Sequence, residues 1–252
     1  MDKHTTEFIV VGLIILIIVL RVAAKILQHH FSKRAQKQLL KKTMDEDLSE
    51  IVEQNLFLSS VLSAQNRLLL KKHNIKTVIT LSVAAHNYYP DEFTYHHLPI
   101  IDNSSAPINK YFEQAFDLIE QSLTNGQAVL VHCEAGLSRS PTIVLSYLMK
   151  KQKVNLRKAF YYLKNRRPIV EPNFGFINKL FQYEQTLELE PSIDFLGEYV
   201  LLVFKGLKEM GMTASILSAA LQECEYDLSK ALVHATKSLQ PPSISTSKAK
   251  PD

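Results

Sequence analysis

Cysteine is scarce in this chain. Two residues in 252, Cys133 and Cys224, are too few and too far apart for a disulfide framework. The nine histidines show no ligand spacing with them, so no zinc, other metal or cofactor is expected. Charge of one sign is lacking too: the formal net charge is only +4, and nucleic acid is not expected as a partner. Long apolar runs are confined to one place near the N-terminus. What remains is an ordinary apolar content, in a chain long enough for one large domain or two smaller ones.

The chemistry concentrates in Ala128-Val129-Leu130-Val131-His132-Cys133-Glu134-Ala135-Gly136-Leu137-Ser138-Arg139-Ser140-Pro141. Ala128 to Val131 is a short apolar run suited to a strand covered on both faces. Pro141 fits a first helical turn, and Thr142 to Met149 continues apolar at helical spacing. A thiol at the end of a strand, facing a helix N-terminus, meets unpaired N–H groups and the positive end of the helix dipole, and both suit a sulfur anion. Gly136 allows the backbone angles of an anion nest, and Arg139 can grip two phosphate oxygens through its planar fork. Nucleophile, cradle and clamp together suit attack of sulfur on a phosphate ester, with Ser140 placed to donate a hydrogen bond to the sulfur when it leaves. The bland alternative for Cys133 is a buried, inert residue.

His132-Cys133, five residues and then Arg139-Ser140 resemble the signature loop of the protein tyrosine phosphatase superfamily. Ala135, Gly136, Ser138 and Ser140-Pro141 narrow the resemblance to its dual-specificity branch. The resemblance implies that Glu134, Ala135, Gly136, Leu137, Ser138 and Arg139 bind phosphate, and that His132 helps hold the thiolate from behind. It also implies a general acid on a mobile loop ahead of the cysteine. Asp102, after the extended run Tyr95 to Ile101, matches that position; a loop-capping role is its plain alternative, and Asp91-Glu92 are the rival carboxylates. Downstream, Arg167-Pro168 and then Pro172-Asn173-Phe174-Gly175-Phe176 extend the likeness, with Asn173 expected to tie the active loop by hydrogen bonds.

Read in order, the chain opens with Phe8 to Leu20, uninterrupted apolar and extendable to Leu27 past Arg21 and Lys25. This predicts a transmembrane anchor over 8–27, with a basic juxtamembrane segment over 28–46. The positive flank places the C-terminal side in the cytosol, and a catalytic thiolate independently wants a reducing compartment. The expected localisation is a single-pass membrane protein of the endoplasmic reticulum or outer mitochondrial membrane, its catalytic domain cytosolic. The catalytic domain is expected over 47–189. Strands at Ile51-Val52, Leu56 to Leu58, Lys76 to Leu81 and Ala128 to Val131 alternate with helices at Ser63 to Lys72, Asn109 to Leu123, Asn155 to Arg166 and Asn178 to Leu189. That alternation predicts an α/β fold with a central, mainly parallel sheet, the active loop lying at the C-terminal end of a central strand.

After a linker at Pro191-Ser192 the pattern is all-helical, with Thr213 and Asp227 as helix caps. Met210-Gly211-Met212, Ala220-Leu221 and Ala231 resemble the spacing of a ubiquitin-associated three-helix domain over 194–238. The resemblance implies ubiquitin binding at Met210, Gly211 and Met212, although that family prefers an aromatic where Met212 stands. The alternative is a bundle that only packs on the catalytic domain. A disordered tail is expected over 239–252.

These readings predict a membrane-anchored phosphatase acting on phosphotyrosine and phosphoserine/threonine in proteins through a cysteinyl-phosphate intermediate. A phosphoinositide phosphatase and a non-catalytic adaptor for phosphoproteins and ubiquitin are the alternatives. Glu134 and the lack of Lys in the loop argue against a multiply phosphorylated head group.

Overall fold

Five short strands make the sheet that carries Cys133: β1 (Ser49–Val52), β2 (Leu56–Ser59), β3 (Ile75–Thr80), β4 (Thr94–His97) and β5 (Ala128–His132). The structure, a computed structural model, describes residues 47–53 and 55–238. Strand order is β1-β2-β5-β3-β4; β1 pairs antiparallel with β2 and every other pairing is parallel. The expected mainly parallel sheet is therefore observed, with β5 at its centre.

Alternation along β5 explains why it is apolar throughout. Val129 and Val131 join Leu56, Leu58 and Ile79 in the core on one face. Ala128 and Leu130 join Phe57, Ile75 and Val78 on the other. Register sets Ser59 of β2 and Thr80 of β3 beside His132, the last residue of β5. Cys133 thus leaves the sheet at its C-terminal edge, where ligands bind in such sheets.

The helices follow their caps. The helix expected over Ser63 to Lys72 is two pieces, α1 (Val61–Ala64) and α2 (Arg67–Lys72). Asn66 interrupts it, its side chain accepting a hydrogen bond from Leu69 N as a cap. A 3₁₀ turn at Ile108–Tyr111 precedes α3 (Phe112–Thr124). Helix α4 (Arg139–Gln152) starts from the loop after β5, and every residue from Ser140 to Met149 is buried. It packs between α3, α5 (Leu156–Arg166) and α6 (Phe174–Thr186). Asn155 and Asn173 cap α5 and α6 through their side-chain oxygens.

Four further helices follow: α7 (Ile193–Val203), α8 (Gly206–Glu209), α9 (Ala214–Glu223) and α10 (Leu228–Ser238). Thr213 and Asp227 cap the last two as expected. Helix α9 packs on α7 and on α10. The turn expected to face ubiquitin has Met210 57% exposed, Gly211 at φ +84° and Met212 only 3% exposed. Met212 lies in the core, so this turn offers a partner one exposed apolar side chain, and the geometry lends ubiquitin binding no support.

These helices are bound tightly to the rest. Glu184 of α6 is fully buried; its carboxyl accepts from Leu156 N (2.6 Å), Ser192 N (2.6 Å) and Ser192 Oγ (2.8 Å). Ser192, in the stretch read as a linker, is buried against α6. Phe160 of α5 meets Phe195 and Tyr199 of α7 at ring distances of 5.2 and 5.4 Å, and Phe181 meets Tyr226 at 5.4 Å.

The localisation expected from the sequence requires correction. Among the described residues no helix is long and apolar enough to cross a membrane. The longest of them, α4, has 14 residues, whereas a span needs about 20. The stretch 8–27 read as an anchor, the basic segment 28–46 and the tail 239–252 lie outside the described residues. Single-pass anchoring with a cytosol-facing domain is not retained.

Truncating Glu184 leaves three buried donors without their acceptor. Glu184→Ala is expected to destabilise the protein by about 3 kcal/mol, read by denaturant unfolding followed by circular dichroism. A loss below about 1 kcal/mol, the size of one ordinary hydrogen bond, would show that the junction is not held by this group.

Candidate active site

Cys133 is buried at the mouth of β5. Its sulfur accepts hydrogen bonds from Gly136 N (3.3 Å) and Ser140 Oγ (3.1 Å). Both donors lie on the turn into α4, so backbone and side chain together face the sulfur with positive hydrogen. His132, the residue behind it, points into the sheet: its Nε2 is 2.9 Å from Thr80 Oγ1.

Gly136 makes the turn possible. Its φ is +65°, and a Cβ there would stand 2.6 Å from both the Ser59 carbonyl oxygen and Arg167 Nη2. The loop is thus pressed between β2 and a buried arginine. Arg167 donates from Nε to the Gly136 carbonyl (3.0 Å) and from Nη1 to Ser49 Oγ (3.2 Å). Further ties hold the same loop: Val61 N donates to the Glu134 carbonyl (3.2 Å) and Glu171 N to the Leu137 carbonyl (2.8 Å). The Glu134 side chain faces solvent.

Arg139 opens α4. Its Nη1 reaches the Ile100 carbonyl at 3.4 Å. Its Nε is buried without a hydrogen-bond partner among the described residues, the nearest counter-charge being Asp102 Oδ2 at 3.6 Å. Arg139 lines the same cleft as Cys133, and its planar fork is the group there suited to grip a phosphate.

Asp102 stands across the cleft on the loop after β4. Its Oδ1 accepts from Ser138 Oγ (2.8 Å) and from Asn173 Nδ2 (2.9 Å). Asn173 N donates to Ser138 Oγ (3.1 Å), while Asn173 Oδ1 caps α6. Asn173 thus hydrogen-bonds both Ser138 and Asp102. The Asp102 loop also rests on α6: Lys179 Nζ donates to the Ser104 carbonyl (3.1 Å), and a Cβ on Gly175 would fall 2.0 Å from that same oxygen.

The structure thus brings together Cys133, Ala135, Leu137, Ser138, Arg139, Asp102 and Asn173 around one cleft of about 400 Å³. Ser140 joins from beneath through the sulfur, and Gly136 through its N–H. Asp91-Glu92 do not line the cleft; Glu92 pairs instead with Arg67 (2.6 Å) and Lys71 (2.5 Å), whose hydrogen bonds pull its carboxyl down to about 2. Met210, Gly211 and Met212 are not among its lining residues either. Arg167 and Gly175 went unassigned in the sequence, although both stand in the phrase that carries the extended resemblance. Their roles depend on contacts with Gly136 and Ser104, far away in the chain.

A nucleophilic sulfur, a donor-lined anion cradle and a facing carboxyl define a cysteine-dependent phosphatase. Residues 56–186 match the model of the dual specificity phosphatase catalytic domain. Dual specificity protein phosphatase 1B of Arabidopsis thaliana is 43% identical over 143 residues, covering 57% of this chain and 85% of that protein. Human dual specificity protein phosphatase 1 is 39% identical over 129 residues, covering 51% and 35%. Among solved structures, human tyrosine phosphatase-like serine/threonine/tyrosine-interacting protein is similar at TM-score 0.53 and 34% identity, covering 55% of this chain and 96% of that one. Human DUSP28 is similar at TM-score 0.54 and 27% identity, covering 56% and 95%. The chain belongs to the dual specificity phosphatase family, and it is a cysteine-dependent protein phosphatase.

Gly136→Ala is expected to leave the protein folded but to lower its phosphatase turnover by about a hundredfold, the cost of misplacing catalytic groups by roughly an ångström. Steady-state kinetics beside a thermal melt would check this. Wild-type turnover in the variant would mean that the cradle does not need the left-handed turn.

Proposed function

We propose that this chain removes phosphate from phosphotyrosine and phosphoserine/threonine in proteins through a phosphoryl-cysteine intermediate, with residues 47–189 as the catalytic domain and 194–238 as a helical extension of it. The observation that carries the reading is the sulfur of Cys133, met by Gly136 N and Ser140 Oγ, in one cleft with Arg139 and the Asp102 carboxyl 3.6 Å from its Nε.

In this mechanism the substrate phosphate sits on the backbone amides from Glu134 to Arg139, and Arg139 takes two of its oxygens. Cys133 Sγ attacks phosphorus; the S–P bond forms as the bond to the tyrosine, serine or threonine oxygen breaks. Asp102 gives its proton to that leaving oxygen. Water then attacks the phosphoryl-cysteine, Asp102 takes a proton from it, and the S–P bond breaks to release inorganic phosphate. Ser140 donates to the sulfur as negative charge returns there. Charge that builds on the equatorial oxygens is met by donors already in place, so little reorganisation accompanies the step. His132 and Asn173 act through others: His132 is fixed on Thr80 behind the nucleophile, and Asn173 holds Asp102 and Ser138 in one network.

A phosphoprotein is favoured over a multiply phosphorylated head group because the one freely exposed charge on the loop, Glu134, is negative, and because no lysine stands between Cys133 and Arg139.

The test uses phosphotyrosine and phosphothreonine peptides with inositol phosphates alongside. Cys133→Ser should release no phosphate from any of them. Asp102→Asn should lower kcat on the peptides by roughly 10²–10⁴-fold and by less on a phosphate ester whose leaving group needs no proton. Preferential turnover of the inositol phosphates would overturn the protein-substrate reading, and an Asp102→Asn variant as fast as wild type would remove Asp102 as the acid.

A further inference from the structure

The cleft over Cys133 has a wall that the catalytic domain does not supply. Tyr199, Val200, Val203 and Phe204, at the end of α7 and just past it, line the same cleft as Cys133. The residues matched to the family domain end at Thr186. This wall is therefore built by the extension and comes in addition to the phosphate site.

The wall is fixed in place. Tyr199 is buried, its hydroxyl donates to the Pro172 carbonyl, and burial pushes its pKa upward, so it remains a donor. Pro172 itself lines the cleft between Glu171 and Asn173. Arg157 pairs with Glu198 (2.7 Å), and Glu184 anchors the start of α7 through Ser192. The helix cannot swing from the cleft without breaking these contacts.

Its chemistry is apolar. Val200 is buried at the base, Val203 is half-buried, and Phe204 is 44% exposed at the rim. Leu137, on the phosphate loop itself, is also exposed to the cleft. An exposed aromatic beside a cradle for a charged group is a surface for an amphipathic segment: a phosphate at one end and an apolar side chain next to it.

We propose that the end of α7 is a specificity surface, with Val203 and Phe204 receiving a bulky apolar side chain that flanks the phosphorylated residue of a phosphoprotein. The occupant follows from continuity: the wall and the phosphate site share one cleft of about 400 Å³, so whatever presents its phosphate to Cys133 lays its neighbouring residues on Phe204. This rests on the phosphoprotein reading above.

The experiment compares phosphopeptides that differ only in the residues flanking the phosphorylated side chain, leucine or alanine, on the full chain and on Phe204→Ala. Wild type should favour the leucine-flanked peptides by about tenfold in kcat/KM, the discrimination expected of one added apolar side chain in a pocket. Phe204→Ala should bring that ratio close to one, and Phe204→Leu should restore most of it. A general loss of folding or activity would lower both peptides together and leave the ratio standing, which would overturn the proposal. So would a wild-type ratio of one. Failure of wild type to release phosphate from any phosphopeptide would instead defeat the phosphoprotein reading itself.

Discussion

Six residues separate the end of β5 at His132 from the start of α4 at Arg139, and their path is held from two sides. Beneath, Gly136 lies against the Ser59 carbonyl and Arg167, where no side chain larger than hydrogen fits. Above, its N–H meets the Cys133 sulfur. Parallel strands β2 and β3 fix where β5 ends, and the buried length of α4 fixes where the helix begins. Between two such anchors the loop has little freedom, so the Gly136 N–H stays aimed at the Cys133 sulfur.

From that constraint the rest follows outward. Arg139 is aimed by α4 and bridges to the backbone at Ile100. Asp102 is held by Ser138 of the loop and by Asn173 of the α6 cap, so the two loops share one hydrogen-bond network. The close approach of Gly175 to Ser104 seats the Asp102 loop on the same helix. Through Glu184 that helix also carries the extension, and the extension closes the far side of the cleft. One element, α6, thus positions both Asp102 and the apolar wall.

Much of this was legible along the chain. The apolar run of β5 and the helix after the loop express local rules, whereas Asp102 is picked out through the family resemblance. The helix breaks are subtler. Asn66 reads as an ordinary polar residue until its side chain is seen capping a new helix. Helix α7 begins at Ile193, just after Ser192, whose N–H and hydroxyl are held by the Glu184 carboxyl of α6 from across the fold. Arg167 acts on Gly136 and Tyr199 on Pro172, contacts that no periodicity encodes. Met212 kept the spacing of a ubiquitin-binding turn, yet its side chain is buried, since spacing does not say which face an apolar residue turns to.

The central claim is that phosphate passes through Cys133. The most direct measurement is mass spectrometry on protein quenched in acid during turnover of a phosphotyrosine peptide, with Asp102→Asn alongside to slow breakdown of the adduct. The account predicts one phosphoryl group on the fragment that carries Cys133 and none on the fragment with Cys224. Continued turnover with Cys133 unmodified, or with the phosphoryl group on another side chain, would contradict it.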